Sequence, residues 1–512
     1  LALALAAILP WVVAHAQTDG FNQGEEPSTL IAQRRAITVQ PRVSVTETFT
    51  DNVRLVDTGK QSDNITEISP GISVNVDGAN LKGYFDYAAT QTLYANSSAS
   101  NQVLNALSTA GTLQAVNNWA FVDFAGSIGQ QSISAFGTQS ASDTLLNANQ
   151  SEVSSYRLSP YIRGRFSDAA NYQARVSRVI SSAKLPTSNA SNDNTDANAK
   201  VSSPVEKLGL GWSAEASSQT ANYSATRSTQ MNRVNLGLPY TFTPQLSMAA
   251  YAGSETNDFA SPLRETYSTS GVGLNWSPGQ MTKLTALFEN RSFGDAHTVT
   301  FEHRTARTAW KLSDVKDVSV NSGMAIGSGS GNVYDLLYSQ FASVQPDPLA
   351  RAQLVNSYLQ SYGISPAASV TNGYLASSLA LQKRQELAVA LLGIRDTITL
   401  IAMQSDARNI DLSAQSAGDL ANGSSVQQHG INVSYAHRLT PLASIGLGVS
   451  QQVSASTSST IAQDARTESL KAYFTQSVSR KAVLNVELRR TLSSGILSYQ
   501  ETAVSCSLNV PL

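Results

Sequence analysis

Side chains alternate with a period of two along most of the chain, and this constrains the fold more than any other feature. Val234, Leu236, Leu238, Tyr240 and Phe242 alternate with Asn235, Gly237, Pro239 and Thr241. Ile72, Val74 and Val76 alternate with Ser73, Asn75 and Asp77. The same rule holds around Leu81, Phe85 and Tyr87, around Val272, Leu274 and Trp276, and around Leu284, Ala286 and Phe288. It returns at Ile431, Val433 and Tyr435, at Ile445, Leu447 and Val449, at Leu484, Val486 and Leu488, and from Val504 to Leu512. Successive strand residues point to opposite faces, so each segment has one apolar face and one small polar face.

The connections alternate too, in length. Short turns fall at Asp77-Gly78-Ala79-Asn80, Asn117-Asn118, Thr243-Pro244, Ser277-Pro278-Gly279 and Thr440-Pro441. Gly, Pro and Asn there suit tight hairpins. Long polar connections are expected at Asp51 to Asp63, Ser134 to Gln150, Lys184 to Ser203, Ser254 to Arg264 and Asp406 to Gln427. Short turns at one end and long loops at the other mark a membrane barrel.

A strand face of Ser, Thr, Asn and Gly cannot be buried in a dry core. Stacked soluble sandwiches would need several domains, with linkers and with edges guarded by charge. No such linkers are visible, and only 14% of residues are charged, where a soluble domain has about 25%. Closing one sheet removes its edges and satisfies every backbone group, as lipid demands. The expected fold is all-β: a single large antiparallel transmembrane β-barrel of about 18 to 22 strands. Trp119, Tyr240, Phe242, Trp276 and Tyr435 lie near the expected turns, where an aromatic girdle belongs.

Residues 1–16 read as a signal peptide, with Ala14-His15-Ala16 as the cleavage pattern, followed by a flexible arm at 17–35. The barrel is expected over 36–512. One insert, 332–363, breaks the strand pattern. Val333, Leu336, Leu337 and Phe341 recur at helical spacing, then Asp347 and Pro348 read as an N-cap and first turn. Ala352, Val355, Leu359 and Tyr362 continue that spacing, and Gly363 stops it. The insert reads either as a helical decoration or as a plug or docking site, with Asp347, Arg351, Val355, Leu359 and Tyr362 as its candidate contacts.

Several chemistries are excluded. The balance of 35 basic and 37 acidic residues gives a net charge of −2, which argues against nucleic acid as a partner. Cys506 is the single cysteine, so no internal disulfide forms. The histidines, His15, His297, His303, His429 and His437, show no metal-site spacing. No Gly-x-Ser-x-Gly elbow or phosphate loop is present. No enzyme and no cofactor are expected. The polar parities instead place Lys82, Asp86, Asp123, Arg163, Arg165, Glu289, Glu487 and Arg489 toward the lumen. Such charges either stiffen the wall by pairing or line a path for hydrophilic solutes. Arg163 and Arg165 share a face that would favour an anionic sugar.

Thr48-Phe49-Thr50-Asp51-Asn52-Val53 followed by Glu67-Ile68-Ser69-Pro70-Gly71-Ile72 resembles the opening of the PEP-CTERM-system-associated outer-membrane barrel family. The resemblance continues through Asp86-Tyr87, Leu93-Tyr94 and Gly129-Gln130-Gln131-Ser132-Ile133-Ser134. It returns at Pro346-Asp347-Pro348 with Arg351, and at Arg395-Asp396-Thr397-Ile398-Thr399-Leu400. It implies the outer membrane of a Gram-negative bacterium whose genome carries exosortase and exopolysaccharide genes. The implied partners are outer-membrane lipid, exopolysaccharide and its export machinery. The expected function is a channel or assembly component for that export. Two alternatives stay open: a surface-display or adhesive barrel with a closed lumen, and a general porin-like channel.

Overall fold

The computed structural model describes residues 36–512 except 98–99, 185–188, 204–208, 225–226, 320–336, 338–350, 352–354, 356–373, 376–378, 411–417, 421–423, 457–462 and 480–481. The expected signal peptide and arm, residues 1–35, lie outside the described residues.

One antiparallel sheet holds 23 strand segments, from β1 (Ile37–Thr50) to β23 (Tyr499–Pro511). The sheet closes on itself, with β1 paired to β23 from Arg42↔Pro511 to Thr50↔Ala503. The short β9 (Gly209–Leu210) pairs with Thr241 and Tyr240 of β11 (Thr229–Thr243). It continues the line of β10 (Ser213–Tyr223), so the segments make a closed 22-stranded barrel. Closure leaves no unpaired edge.

The outer face is the apolar one. On β11, Val234, Leu236, Leu238, Tyr240 and Phe242 are all exposed, while Met231 and Gly237 on the other parity are buried. That outward run covers nine residues, the length a tilted strand needs to cross about 30 Å of hydrocarbon. A registered row across the outer face shows the tilt. It runs Leu238, Ala250, Val272, Phe288, His297, Lys316, Lys383, Asp406, Gln427. The row begins apolar and ends charged because it lies perpendicular to strands that are themselves tilted, and so climbs out of the belt. Trp119, Trp212, Trp276 and Trp310 are exposed and lie at the short-turn end, with Phe166, Tyr240, Phe242 and Tyr435 beside them. They form the girdle at one water–lipid boundary. An apolar band capped by such a girdle on a closed antiparallel barrel belongs in the outer membrane.

The sequence reading needs one correction in the wall. Lys184 to Ser203, expected to be a loop, is largely β8 (Asn189–Ser202). Its lumen face is Asn192, Asn194, Asp196, Asn198 and Lys200, opposite Thr195, Ala197, Ala199 and Val201. Ala and Thr facing lipid give a weak alternation that low β-propensity on the other face conceals. The insert 332–363 falls almost wholly outside the described residues. Of it only Leu337, Arg351 and Val355 are described, each in helical conformation, and the rest of the expected helical insert lies outside the described residues. Asp347, Leu359 and Tyr362 lie outside the described residues.

Apolar packing on the lumen side collects at the long-loop end. One cluster joins Val53, Leu55, Ile65, Tyr94, Leu145 and Tyr499. A second joins Ala135, Phe136, Tyr374, Ala380, Ala407, Leu420 and Val426. A third joins Ala221, Tyr223, Met231, Phe259 and Leu379. These three clusters sit at the mouth, while inward residues beside the short turns such as Ala390, Thr397, Ala436 and Ser444 are buried as well.

Candidate functional site: the lumen wall and the loop across its mouth

The inward parity of the strands carries charge, and most of it is paired across the wall. Asp86 on β3 (Leu81–Tyr94) receives Arg42 of β1 at 2.7 Å. Lys82 lies 3.5 Å from Asp77. Asp123 on β5 (Ala120–Ser132) receives Arg175 of β7 (Ala170–Lys184) at 2.8 Å. Glu289 on β14 (Thr282–Arg291) pairs with Arg233 of β11. Glu487 on β22 (Val483–Gly495) lies 3.4 Å from Arg489, which also donates to Glu501 at 2.9 Å. Arg163 and Arg165 face the lumen from β6 (Gln150–Phe166), near its short-turn end, and both are exposed. The eight sequence-named residues thus share the inner face, but they are spread around the wall and make no single constellation.

Pairing skips strands. Arg42 reaches across β2 (Asp63–Asp77), and Arg175 reaches across β6. Arg291, at the end of β14, binds Glu255 of β12 (Leu246–Asn257) at 2.8 Å and Asp317 of β16 (Thr308–Ser319) at 2.7 Å. Such ties brace the curvature of a large sheet. Their partners Arg42, Arg175, Arg233, Glu255, Arg291, Asp317 and Glu501 were not singled out from sequence. Each obeys the same parity as the named residues, and extending the alternation through every strand would have found them.

The mouth is crossed by the β5–β6 connection, residues 133–149. It is braced internally: Asn149 exchanges hydrogen bonds with Ser134, and Asn147 donates to the Thr138 carbonyl at 2.8 Å. Outward tethers reach strands that are not its neighbours. The Tyr94 hydroxyl donates to the Thr144 carbonyl at 2.7 Å, and the Tyr499 hydroxyl donates to the Gln139 carbonyl. The Leu146 N–H donates to the Val53 carbonyl at 2.9 Å. Leu145 fills the cluster around Tyr94 and Tyr499. On another side, Asp419 accepts from the Ser134 hydroxyl at 2.8 Å and from the Ala135 N–H at 2.6 Å. Phe136 packs there against Tyr374, Leu420 and Val426. Burial pushes the Asp419 carboxyl above the usual carboxylate range, although both hydrogen bonds pull it down. A compact, internally packed loop with anchors on separated walls is an Ω-like structure.

Among the described residues no group of three His, Cys, Asp or Glu is placed to hold an ion. His297 and His303 point outward; His297 bonds Asp314 at 3.0 Å and His303 bonds Thr282 at 2.8 Å.

No family model and no curated protein matches this sequence. Solved structures with similar barrels include the FrpB iron transporter from Neisseria meningitidis, at TM-score 0.49 and 9% identity over 92% of this chain and 82% of that one. The siderophore receptor PirA from Acinetobacter baumannii gives TM-score 0.46 and 10% identity, covering 93% of this chain and 81% of that one. OccK2 (OpdF) from Pseudomonas aeruginosa gives TM-score 0.34 and 9% identity, covering 93% and 98%. The barrel assignment rests on the chain's own strand closure.

Proposed function

We propose that this chain is a non-enzymatic outer-membrane channel for hydrophilic solutes whose mouth is latched by the loop 133–149. The observation that carries this reading is the combination of a charged, polar inner wall with a tethered loop at the long-loop end. A purely structural barrel has no need to keep exposed arginines without a carboxylate partner on its lumen face, as Arg157 in the middle of β6 and Arg163 near its turn end are among the described residues. The family resemblance supplies the context, in which the solute is exopolysaccharide and the partners are its export machinery. The rival reading, a display barrel with a closed lumen, draws on the same tethers, which hold the loop inward.

Planar-bilayer recording separates the two. The refolded full chain is compared with Leu145→Ala combined with Tyr94→Phe and Tyr499→Phe, with heat-dependent gel migration as the check on folding. Truncating buried Leu145 removes about 2 to 5 kcal/mol of packing, so the latched state loses at least about tenfold in population. The channel reading expects infrequent openings in the full chain and frequent ones in the variant. Silence in both folded proteins would favour the display barrel.

A further inference from the structure

The lower lumen carries a feature that wall bracing does not explain. Phe121 of β5 and Tyr161 of β6 are registered partners on the inner face, and their rings stack at 5.0 Å with 14° between planes. Each ring carries a guanidinium. Arg175 lies over Tyr161 at 4.1 Å and Arg163 lies over Phe121 at 4.5 Å. The two arginines then differ. Arg175 is neutralised by Asp123 at 2.8 Å. Arg163 meets no carboxylate among the described residues, and neither does Arg157, on the same face of the same strand. Arg165 lies on that face as well, one inward position from Arg163.

Stacking on a ring fixes a guanidinium by its flat face and leaves its N–H edge free. That edge is the fork that matches a carboxylate or sulfate with two parallel hydrogen bonds. The rise of a strand places Arg163 about 7 Å from Arg165 and about 20 Å from Arg157 along the wall. Between them lie Ser159 and Tyr161, with Gln173 registered beside Arg163 and Asn171 beside Arg165. Tyr161, Gln173 and Asn171, unlike the buried Ser159, supply hydroxyl and amide partners for an uncharged part of a ligand. Of the acids on the surrounding wall, Asp123 is committed to Arg175 and Glu215 faces Lys200 at 3.9 Å, which leaves Asp196, two strands away on β8, as the one inward acid nearby with no ion pair among the described residues.

We infer that the inner face of β6 is a binding track for an acidic saccharide chain, with Arg163, stacked on Phe121, as the carboxylate-gripping position and Arg157 as a flanking cation. This rests on the proposed channel only in that the solute must enter the lumen; the track begins at the short-turn end, away from the latched mouth. Arg175 is a positioning residue that holds Tyr161, and through it the ring under Arg163.

The test uses the refolded full chain and a defined probe, a hexamer of galacturonic acid, against the uncharged maltohexaose. Binding is read by titration calorimetry at low and at physiological salt. The galacturonate hexamer should bind, weaken with salt, and exceed maltohexaose at least about tenfold. Arg157→Gln with Arg163→Gln should remove at least about tenfold of that affinity. Arg163→Lys, which keeps the charge and loses the fork, should fall between. No binding of the acidic probe, equal binding of both probes, or full binding by the double glutamine variant would overturn the inference. Conductance is recorded on the same preparations. Conductance without galacturonate binding removes the track and spares the channel; binding with bilayers silent even for the untethered loop variant removes the channel and spares the track.

Discussion

The two ends of the lumen are built on different principles. At the long-loop end the charges are buried and committed: Arg291 holds Glu255 and Asp317, and Arg489 holds Glu501, with Glu255 and Glu501 almost fully buried. Apolar side chains from the loops fill the space above them. At the short-turn end the charges of β6 are exposed, their aromatic neighbours are stacked into the wall, and indole rings mark the lipid boundary outside. Burial makes the first set structural, because a buried ion must be matched, whereas Arg163 at the second end meets no carboxylate among the described residues. Around β6 the lumen thus runs from a packed mouth to an exposed, basic turn end.

The largest test of this contrast compares one arginine from each end. Arg291→Ala should strip the partner from Glu255 and cost about 3 to 5 kcal/mol. Arg163→Gln, exposed at the other end, loses only its stacking on Phe121 and should cost about 0.5 to 1 kcal/mol. Equilibrium unfolding in lipid vesicles reads both. Equal costs would break the distinction between structural and available charge.

A smaller effect should come from the latch. Asp419→Ala removes the acceptor for the Ser134 hydroxyl and the Ala135 N–H, worth about 1 to 3 kcal/mol. The open fraction in bilayers should rise accordingly. Acid should act in the opposite direction. With its carboxyl value raised in the latched state, Asp419 binds its proton more tightly there than when the loop is released into water. The bias toward closure is fully present below the ordinary aspartate value of about 3.9 and is lost as pH rises through the raised value. Openings should therefore become rarer as pH falls from neutral toward about 4. Asp419→Ala should weaken that dependence and leave the part due to Asp143 of the loop, whose carboxyl burial also pushes up. A steeper dependence in the variant would mean that other groups govern the mouth.

The contrast was unevenly legible in the sequence. The wall was readable because lipid and water impose opposite demands on alternate residues. Val234 to Phe242 therefore announces a strand and its facing at once. β8 was missed where that demand relaxes, since Ala197, Ala199 and Thr195 are small enough to face lipid without a strong signal. The parity rule places Arg163 and Arg165 but says nothing of Phe121, which reaches them from the neighbouring strand through register. The latch was invisible for a different reason. Ser134 to Gln150 is polar and reads as a solvated loop, and its turn inward depends on Leu145 and Phe136 finding clusters built by residues hundreds of positions away, such as Tyr499 and Leu420. Long-range packing of this kind leaves no local period.

The smallest expected effect belongs to the girdle. Trp276 faces lipid, and Trp276→Phe keeps an apolar ring there, so stability should change by about 0.5 kcal/mol or less. Trp119 differs in that its indole N–H donates to the Tyr172 hydroxyl at 2.9 Å. Trp119→Phe should lose that bond, about 0.5 to 1.5 kcal/mol, and so exceed Trp276→Phe. Neither should alter the open fraction, because the latch is tied at the opposite end by Tyr94, Tyr499 and Asp419. Paired unfolding and bilayer measurements check both parts. If Trp119→Phe changed gating as Asp419→Ala does, the strands would be transmitting strain from one end to the other, and the mouth and the floor would have to be treated as one coupled element.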